Sequence, residues 1–449
     1  MKVQLIQPAQ LDDQGRPIKY KQMLLPSGTL ATVAALTPDD VDVSVIDEYV
    51  DTVDFDADID LVGVTGLTCH APRAYEIADE FKRRGKTVVM GGIHASALPD
   101  EALAHVDSVV VGEAEDVWES VIRDFEKGRP RKKYKVDHLP DLQKLVIPRF
   151  DLTNYDRCAK ALFADAPALP IHTTRGCPYN CDYCSVTRFF GGKYRTKPID
   201  NVLAEIEASG GKDFFFLDDN IAGDPSYAEQ LFKEIKPLKL RWFSQVSTTI
   251  LKQPKLAELA GEAGCHEFFI GVESIDPGNL ASLNKSFNKV DQYAEVFKML
   301  KSNGITTHAS VMFGLDNDDA DLIDRTVDFL LKHEVNFVRM NIATPYPGTG
   351  FYEKLSGQNR ITETNWSKYD LVHCVFRPRL LAPAELEEKL WSSYERFYSL
   401  GPILKRLGKF SKLYVTHPWK NSIFDDLLFQ LHFYMVVRQQ ADPLSGILA

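Results

Sequence analysis

Apolar positions along the chain fall into two series of short runs separated by helical patterns. In the first series, Lys2–Ile6, Val43–Ile46, Leu61–Thr65, Thr87–Met90 and Ser108–Val111 are rich in Val, Ile and Leu. Helical patterns such as Ala71–Arg84 and Glu115–Lys127 lie between them. This β-α-β-α order over residues 1–127 predicts a parallel, doubly wound sheet covered on both faces. Ligands of such sheets gather at the carboxyl ends of the strands. Those ends are Thr65-Gly-Leu-Thr68, Gly91-Gly-Ile-His-Ala-Ser96 and Gly112-Glu-Ala-Glu115. Glycines at Gly66, Gly91, Gly92 and Gly112 either admit a bulky ligand to the backbone or permit tight turns.

Residues 128–165 read as a linker. A basic patch, Lys127-Gly-Arg-Pro-Arg-Lys-Lys133, suits a solvated turn, and Pro140 and Pro148 interrupt regular structure. The second series occupies 166–350. Its expected strands are Ile171–Thr174, Phe214–Leu217, Arg241–Val246, Glu267–Gly271, Thr307–Phe313 and Phe337–Ile342. Helical segments such as Ile199–Ala208, Tyr227–Ile235, Leu256–Ala263, Asp291–Ser302 and Asp321–His333 separate them. Six strand-helix units predict an open α/β barrel with its site at the strands' C-terminal ends. Residues 351–449 read as mostly helical. Their stripes, Leu390–Leu400 and Phe424–Val437, suit packing on the barrel, with peripheral membrane contact as the alternative.

A length of 449 residues suits two or three domains, and 44% hydrophobic residues suffice for ordinary cores. The balance of 52 basic against 63 acidic residues, net −11, argues against nucleic acid as a partner. Met1–Pro8 lacks the features of a secretory signal. No apolar run of about 18 residues predicts a transmembrane helix. The expectation is a cytoplasmic enzyme acting on a small molecule.

Chemistry concentrates at Cys177, Cys181 and Cys184, a C-x3-C-x2-C group that follows a short apolar run. Three thiolates can each hold one iron of a four-iron, four-sulfur cluster and leave the fourth iron open for a small molecule. A structural zinc site would want a fourth ligand, usually from a second C-x2-C pair, and none exists. Cys69, Cys158, Cys265 and Cys374 are scattered and read as small buried apolar residues.

With Tyr183 just before the last cysteine, this spacing resembles the radical SAM superfamily. The resemblance implies that S-adenosylmethionine (SAM) chelates the open iron of a [4Fe-4S] cluster. An electron from an external donor such as flavodoxin or ferredoxin then releases a 5′-deoxyadenosyl radical. It further implies strand-end contacts to SAM. Asp218 or Asn220 would meet the amino group, where the superfamily commonly has Gly-Gly-Glu. Gln245 and Ser247 would meet the ribose or carboxylate, Glu273 the ribose, and Gly314 the adenine. Ser274, Asp276 and Asp316 read instead as turn residues or N-caps.

Val88–Glu101 and Asp107–Glu115 look like the cobalamin-binding domain that precedes the barrel in cobalamin-dependent radical SAM enzymes. The implied contacts are Thr65, Gly66, Leu67, Thr68, Gly91, Gly92, His94, Gly112 and Glu113. The D-x-H-x-x-G motif of some cobalamin proteins is absent, so cobalt would be bound base-off without that histidine. In the Thr65–His70 loop beneath the cobalt, His70 and Cys69 are the only obvious donors; His70 reads as a packed polar residue, with cobalt ligation as the alternative. Phe216–Gly223, Trp242–Gln245, Asn284–Asn288 and Thr344–Thr349 are similar to a branch with the hopanoid C-2 methylase and bacteriochlorophyll biosynthetic enzymes. That likeness implies a methyltransferase acting through methylcobalamin on an unactivated carbon of a small hydrophobic or polycyclic substrate. Ring formation or rearrangement without methyl transfer is the alternative.

Overall fold

Six parallel strands assemble from the first series: β1 (Lys2–Gln7), β2 (Asp42–Asp47), β3 (Leu61–Thr65), β4 (Thr87–Gly91), β5 (Ser108–Val110) and β6 (Lys133–Tyr134). Their order in the sheet is β2-β1-β3-β4-β5-β6. The structure is a computed structural model, and it describes residues 1–159, 167–416, 423–437 and 447–448. Linker residues 160–166 and tail residues 417–422, 438–446 and 449 lie outside the described residues.

Alternation along each strand feeds two cores. Ile6, Val62, Val64, Val88 and Met90 pack on the helix Ala71–Arg83. Val3, Leu5, Leu61, Val89 and Val110 pack on the helices Gly28–Leu36 and Trp118–Glu126. Burial on both faces is why these strands read as unbroken Val/Ile runs, each large side chain contributing about 1.5–3 kcal/mol. The two-residue β6 comes from the segment expected as linker. It is too short for periodicity to mark, and Arg131 covers its Tyr134 ring at 5.2 Å.

The second series forms β7 (Leu169–Ile171), β8 (Asp213–Phe216), β9 (Arg241–Val246), β10 (Cys265–Glu273), β11 (Thr306–Phe313) and β12 (Phe337–Ile342). All are parallel and lie in sequential order, so the sheet is a partial barrel open between β7 and β12 among the described residues. Phe214, Phe216, Trp242, Phe268 and Ile270 face the surrounding helices. The intervening Phe215, Phe243, Gln245 and Phe269 face the barrel interior. β7 begins and ends two to three residues earlier than the apolar run predicts. Pro170 is tolerated because β7 is an edge strand.

The C-terminal helix Pro383–Phe397 protects the opposite edge. Tyr394 Oη accepts from Met340 N and donates to Met340 O, both at 2.8 Å. Tyr398 Oη does the same at Val338, at 2.9 and 3.0 Å. Two hydroxyls thus satisfy backbone groups that an open edge would expose. Phe429 and Phe433 of the helix Ile423–Val437 continue this packing, with Phe429 against Phe337 and Phe433 against Tyr398. No described helix is long and apolar enough to cross a membrane.

Candidate active site between the two sheets

The cysteine loop leaves β7 where Asp218 draws the chain away from the ladder. Asp218 Oδ1 accepts from Thr173 N and Oγ1 at 3.1 and 2.9 Å, and from the corresponding atoms of Thr174. Beyond Arg175 and Gly176 the loop is pinned from several sides. Asp182 N donates to Leu283 O at 3.0 Å and Asn284 Nδ2 to Asn180 O at 2.6 Å. Tyr179 Oη donates to Thr249 Oγ1 at 2.9 Å, and Thr249 in turn meets Ser247.

Burial pushes each of the Cys177, Cys181 and Cys184 thiols up to about 11. The neighbouring Lys285 ammonium works in the opposite direction on all three. Metal ligation, which requires thiolates, must therefore displace their protons. Among the described residues no three His, Cys, Asp or Glu side chains converge on a point. A single zinc ion would need that convergence. Thiols that each take a different iron of a four-iron cluster do not need it.

Above the loop, the register of β10 shifts between Gly271 and Glu273, and Glu273 adopts φ +64°. For a glutamate this is a strained backbone, of the kind found where surroundings over-determine a functional group. Its Oε1 accepts from Tyr183 Oη at 2.9 Å and Lys285 Nζ at 2.8 Å. Lys285 Nζ also donates to Tyr183 Oη at 2.9 Å. A side chain on residue 271 would meet this pair, since its Cβ would lie 2.7 Å from Lys285 Nζ. Burial opposes the Lys285 charge, yet Glu273 and the nearby thiols hold its pKa above the ordinary value.

Other residues expected at the SAM face are spread. Gln245 lines the cavity described below. Asn220 Oδ1 accepts from Ser247 N at 3.3 Å, tying the ends of β8 and β9 together. Gly314, at φ +95°, lies against Leu386 and Phe376 of the C-terminal region. Asp218 is fully buried against Thr173 and Thr174 and forms no part of the cavity wall. Its neighbour Asp219 does, accepting from Gly176 N at 3.0 Å, and burial raises its pKa to about 7. Both lie in the loop after β8, where Asp218 turns to Thr173 and Thr174 and Asp219 to the cavity.

Facing the barrel, the N-terminal strand ends are built from backbone. Gly92 sits at φ +94°, and a Cβ there would lie 2.7 Å from Thr65 Oγ1 and 3.1 Å from Gly66 O. Ser96 Oγ donates to Gly92 O at 2.7 Å and accepts from Gly112 N at 2.9 Å, locking two glycine turns together. Thr65, Gly66, Leu67, Gly91, Gly92, Gly112 and Glu113 line the cavity; Thr68 and His94 do not. Thr68 is buried at the start of a 3₁₀ turn. His94 turns to the opposite side, bonding Tyr75 Oη at 3.0 Å and Glu101 Oε1 at 3.2 Å.

Both ring nitrogens of His70 are engaged. Nδ1 accepts from Leu67 N at 3.2 Å and lies 3.1 Å from Gln7 Nε2; Nε2 lies 3.0 Å from Tyr49 Oη. The ring has no lone pair left for a metal. Glu113, with a side chain 2% exposed, is clamped by Arg175 and Arg195, the latter at 2.5 Å, while Arg175 also pairs with Glu115. This clamp joins the two domains at the site. Trp366 Nε1–Glu101 at 2.9 Å and Gln10 Nε2–Asp370 Oδ2 at 3.1 Å tie the N-terminal domain to the C-terminal region.

Between the sheets runs a cavity of about 1270 Å³. It exceeds the roughly 300–1,000 Å³ of common small-ligand pockets. One arm passes along Leu5, Gly63, Val89 and Val110 to Leu30 and Leu36, between the sheet and a helix. The other enters the barrel past Phe215 and Phe243, stacked at 4.3 Å, to Phe269, Phe337 and Phe429. A polar pair, His308 Nδ1 and Glu267 Oε1 at 3.1 Å, lies on that wall. The glycine-edged face and apolar arm fit a bulky ring with a tail, which is what cobalamin requires.

Sequence reasoning missed Arg175, Asp219, Lys285, Tyr49 and the His308–Glu267 pair. Asp219 adjoins Asp218, which the sequence singled out, and Arg175 stands two residues before the first cysteine. Lys285 carried no local signal beyond its similar surroundings, Asn284–Asn288.

Comparison with known proteins places these features. Residues 171–330 match the Radical SAM superfamily and residues 23–122 the B12 binding domain. The bacteriochlorophyllide d C-12(1)-methyltransferase of Chlorobaculum tepidum is 34% identical, covering 87% of this chain and 88% of the relative. The bacteriochlorophyllide d C-8(2)-methyltransferase of the same organism is 32% identical over 84% and 86%. The structure of TsrM from Kitasatospora setae, with cobalamin and a [4Fe-4S] cluster bound, superposes with a TM-score of 0.63. That match covers 90% of this chain and 88% of TsrM at 17% identity, a likeness of fold.

Proposed function

The chain belongs to the cobalamin-dependent radical SAM family, and from that premise we propose that it methylates an unactivated carbon on a chlorin-type tetrapyrrole. It is a methyltransferase whose cofactors are a [4Fe-4S] cluster, SAM and cobalamin. Together these supply one-electron hydrogen abstraction and carriage of a methyl group, which a carbon without a lone pair requires.

The chain's own residues do the placing. Cys177, Cys181 and Cys184 would hold the cluster, with Asp219, Gln245 and the Tyr183–Glu273–Lys285 group around SAM. Thr65–Leu67, Gly91–Gly92 and Gly112 would carry the corrin ring, and the arm past Gly63 its tail. The Glu113 clamp holds both faces to one space, the condition for bringing two reacting groups to one substrate. Phenylalanines wall the remaining barrel arm and keep water from it.

The single observation that carries the reading is the unbroken cavity from glycine-built strand ends into a phenylalanine-lined barrel. The substrate class rests on the two bacteriochlorophyllide methyltransferases, whose lengths this chain covers nearly whole. An external one-electron donor such as flavodoxin or ferredoxin completes the proposal. The test is anaerobic reconstitution with iron, sulfide and hydroxocobalamin, then incubation with methyl-labelled SAM and bacteriochlorophyllide d. Labelled product with both 5′-deoxyadenosine and S-adenosylhomocysteine is expected. Turnover of that substrate to an unlabelled, ring-altered product would overturn methyl transfer.

A further inference from the structure

We infer that Lys285 and Glu273 form an opposed charge pair that sets the reduction potential of the cluster held by the cysteine loop. The inference deepens the proposed function and rests on the loop holding that cluster.

Lys285 is only 7% exposed. Its ammonium is fixed by Glu273 Oε1 at 2.8 Å and Tyr183 Oη at 2.9 Å, within the cysteine loop itself. It also stands 5.6 Å from the Tyr183 ring centre and 5.7 Å from that of Phe287, whose ring stacks on Tyr179 at 3.8 Å. An ammonium desolvated between two aromatic rings cannot be screened by water as a surface lysine is. The charged groups acting on the thiols are Lys285 on all three, Asp219 on Cys177 and Cys184, and Glu273 on Cys181. Two carboxylates therefore face one ammonium.

Reduction adds one electron from a low-potential donor, forms and breaks no bond, and makes the cluster more negative by one charge. A fixed cation favours that state and a fixed anion disfavours it, in a medium where charges interact more strongly than in water. Tyr183 holds the geometry while carrying no charge. This separates a tuning role from a merely structural one.

The test uses the full chain reconstituted with iron and sulfide, without substrate, so that its outcome is independent of the tetrapyrrole. Midpoint potentials are read by paramagnetic resonance during titration with dithionite. Lys285→Met should disfavour reduction about tenfold, about 59 mV lower for one electron. Glu273→Gln should favour it by a similar factor, and Tyr183→Phe should shift it less than twofold. Both charge variants shifting the same way, or neither shifting, would overturn the inference. If Lys285→Met loses its iron, Glu273→Gln decides alone, and an unchanged or lowered potential there overturns it equally. Loss of iron binding in the wild-type chain would instead refute the cluster assignment itself.

Discussion

At the strand ends of the N-terminal sheet the proposed cofactor face is edged by glycines, whereas the proposed cluster face of the barrel gathers thiols, carboxylates and a lysine. Among the described residues each sheet has six parallel strands and is helix-covered. The difference follows from what each is proposed to hold. A large ring is accommodated by removing side chains, so Gly66, Gly91, Gly92 and Gly112 matter for what they lack. A charged cluster and a zwitterion need compensating charge, so Lys285, Glu273 and Asp219 matter for what they carry. The first face should therefore be sensitive to added bulk and the second to altered charge.

The largest effect should come from the barrel side. Replacing Cys177, Cys181 and Cys184 together with alanine is expected to abolish iron binding and 5′-deoxyadenosine formation while cobalamin is retained. Iron analysis and the visible spectrum check this, and unchanged iron content would break the assignment. Next is the clamp between the two faces. Glu113→Gln leaves the buried guanidiniums of Arg175 and Arg195 short of a carboxylate, which should cost about 3 kcal/mol of stability. The expected readout is a lowered unfolding midpoint with early proteolysis in the segment between the domains.

Bulk on the N-terminal face should act more narrowly. Gly92→Val forces a β-branched residue to φ +94° against Thr65 Oγ1 at 2.7 Å. We expect at least tenfold weaker cobalamin retention with unchanged iron content, at a strain cost of about 1–3 kcal/mol. Equal loss of both cofactors would show that the two faces are not separable.

The smallest effects concern His70, whose burial depresses its pKa from 6.5 to about 4. The folded chain resists protonating this ring more than the unfolded chain does. Its contribution is therefore complete above pH 6.5 and lost as pH falls towards 4, about 2 kcal/mol by pH 5. His70→Gln should flatten the stability profile over that window, and an unaltered slope would refute the assignment. Because both ring nitrogens are engaged, the cob(II)alamin resonance spectrum should lack nitrogen splitting from this ring. Splitting that disappears in His70→Ala would make His70 a cobalt ligand after all.

Much of this was legible in the chain itself. Runs of Val and Ile alternating with helical patterns gave both sheets, and β3, β9 and β12 begin and end where the pattern places them. The cysteine spacing named the cluster before any geometry was known. Less legible were elements without a period of their own, such as β6, and the end of β7, beyond which Asp218 holds Thr173 and Thr174.

What sequence determined by itself is therefore local: which residues alternate, where strands end, and how three thiols are spaced. These depend on backbone geometry repeating every two or every 3.6 residues. Tertiary structure alone decided which partner each polar group met. Glu113 read as a cofactor contact; it lines the cavity, and Arg175, 62 positions away, also makes it a domain clamp. Glu273 read as a ribose acceptor, yet it also neutralises Lys285 and anchors Tyr183, 90 positions back. Such pairings depend on how the two six-stranded sheets twist and stack, and a buried charge must take whichever partner that stacking brings within reach.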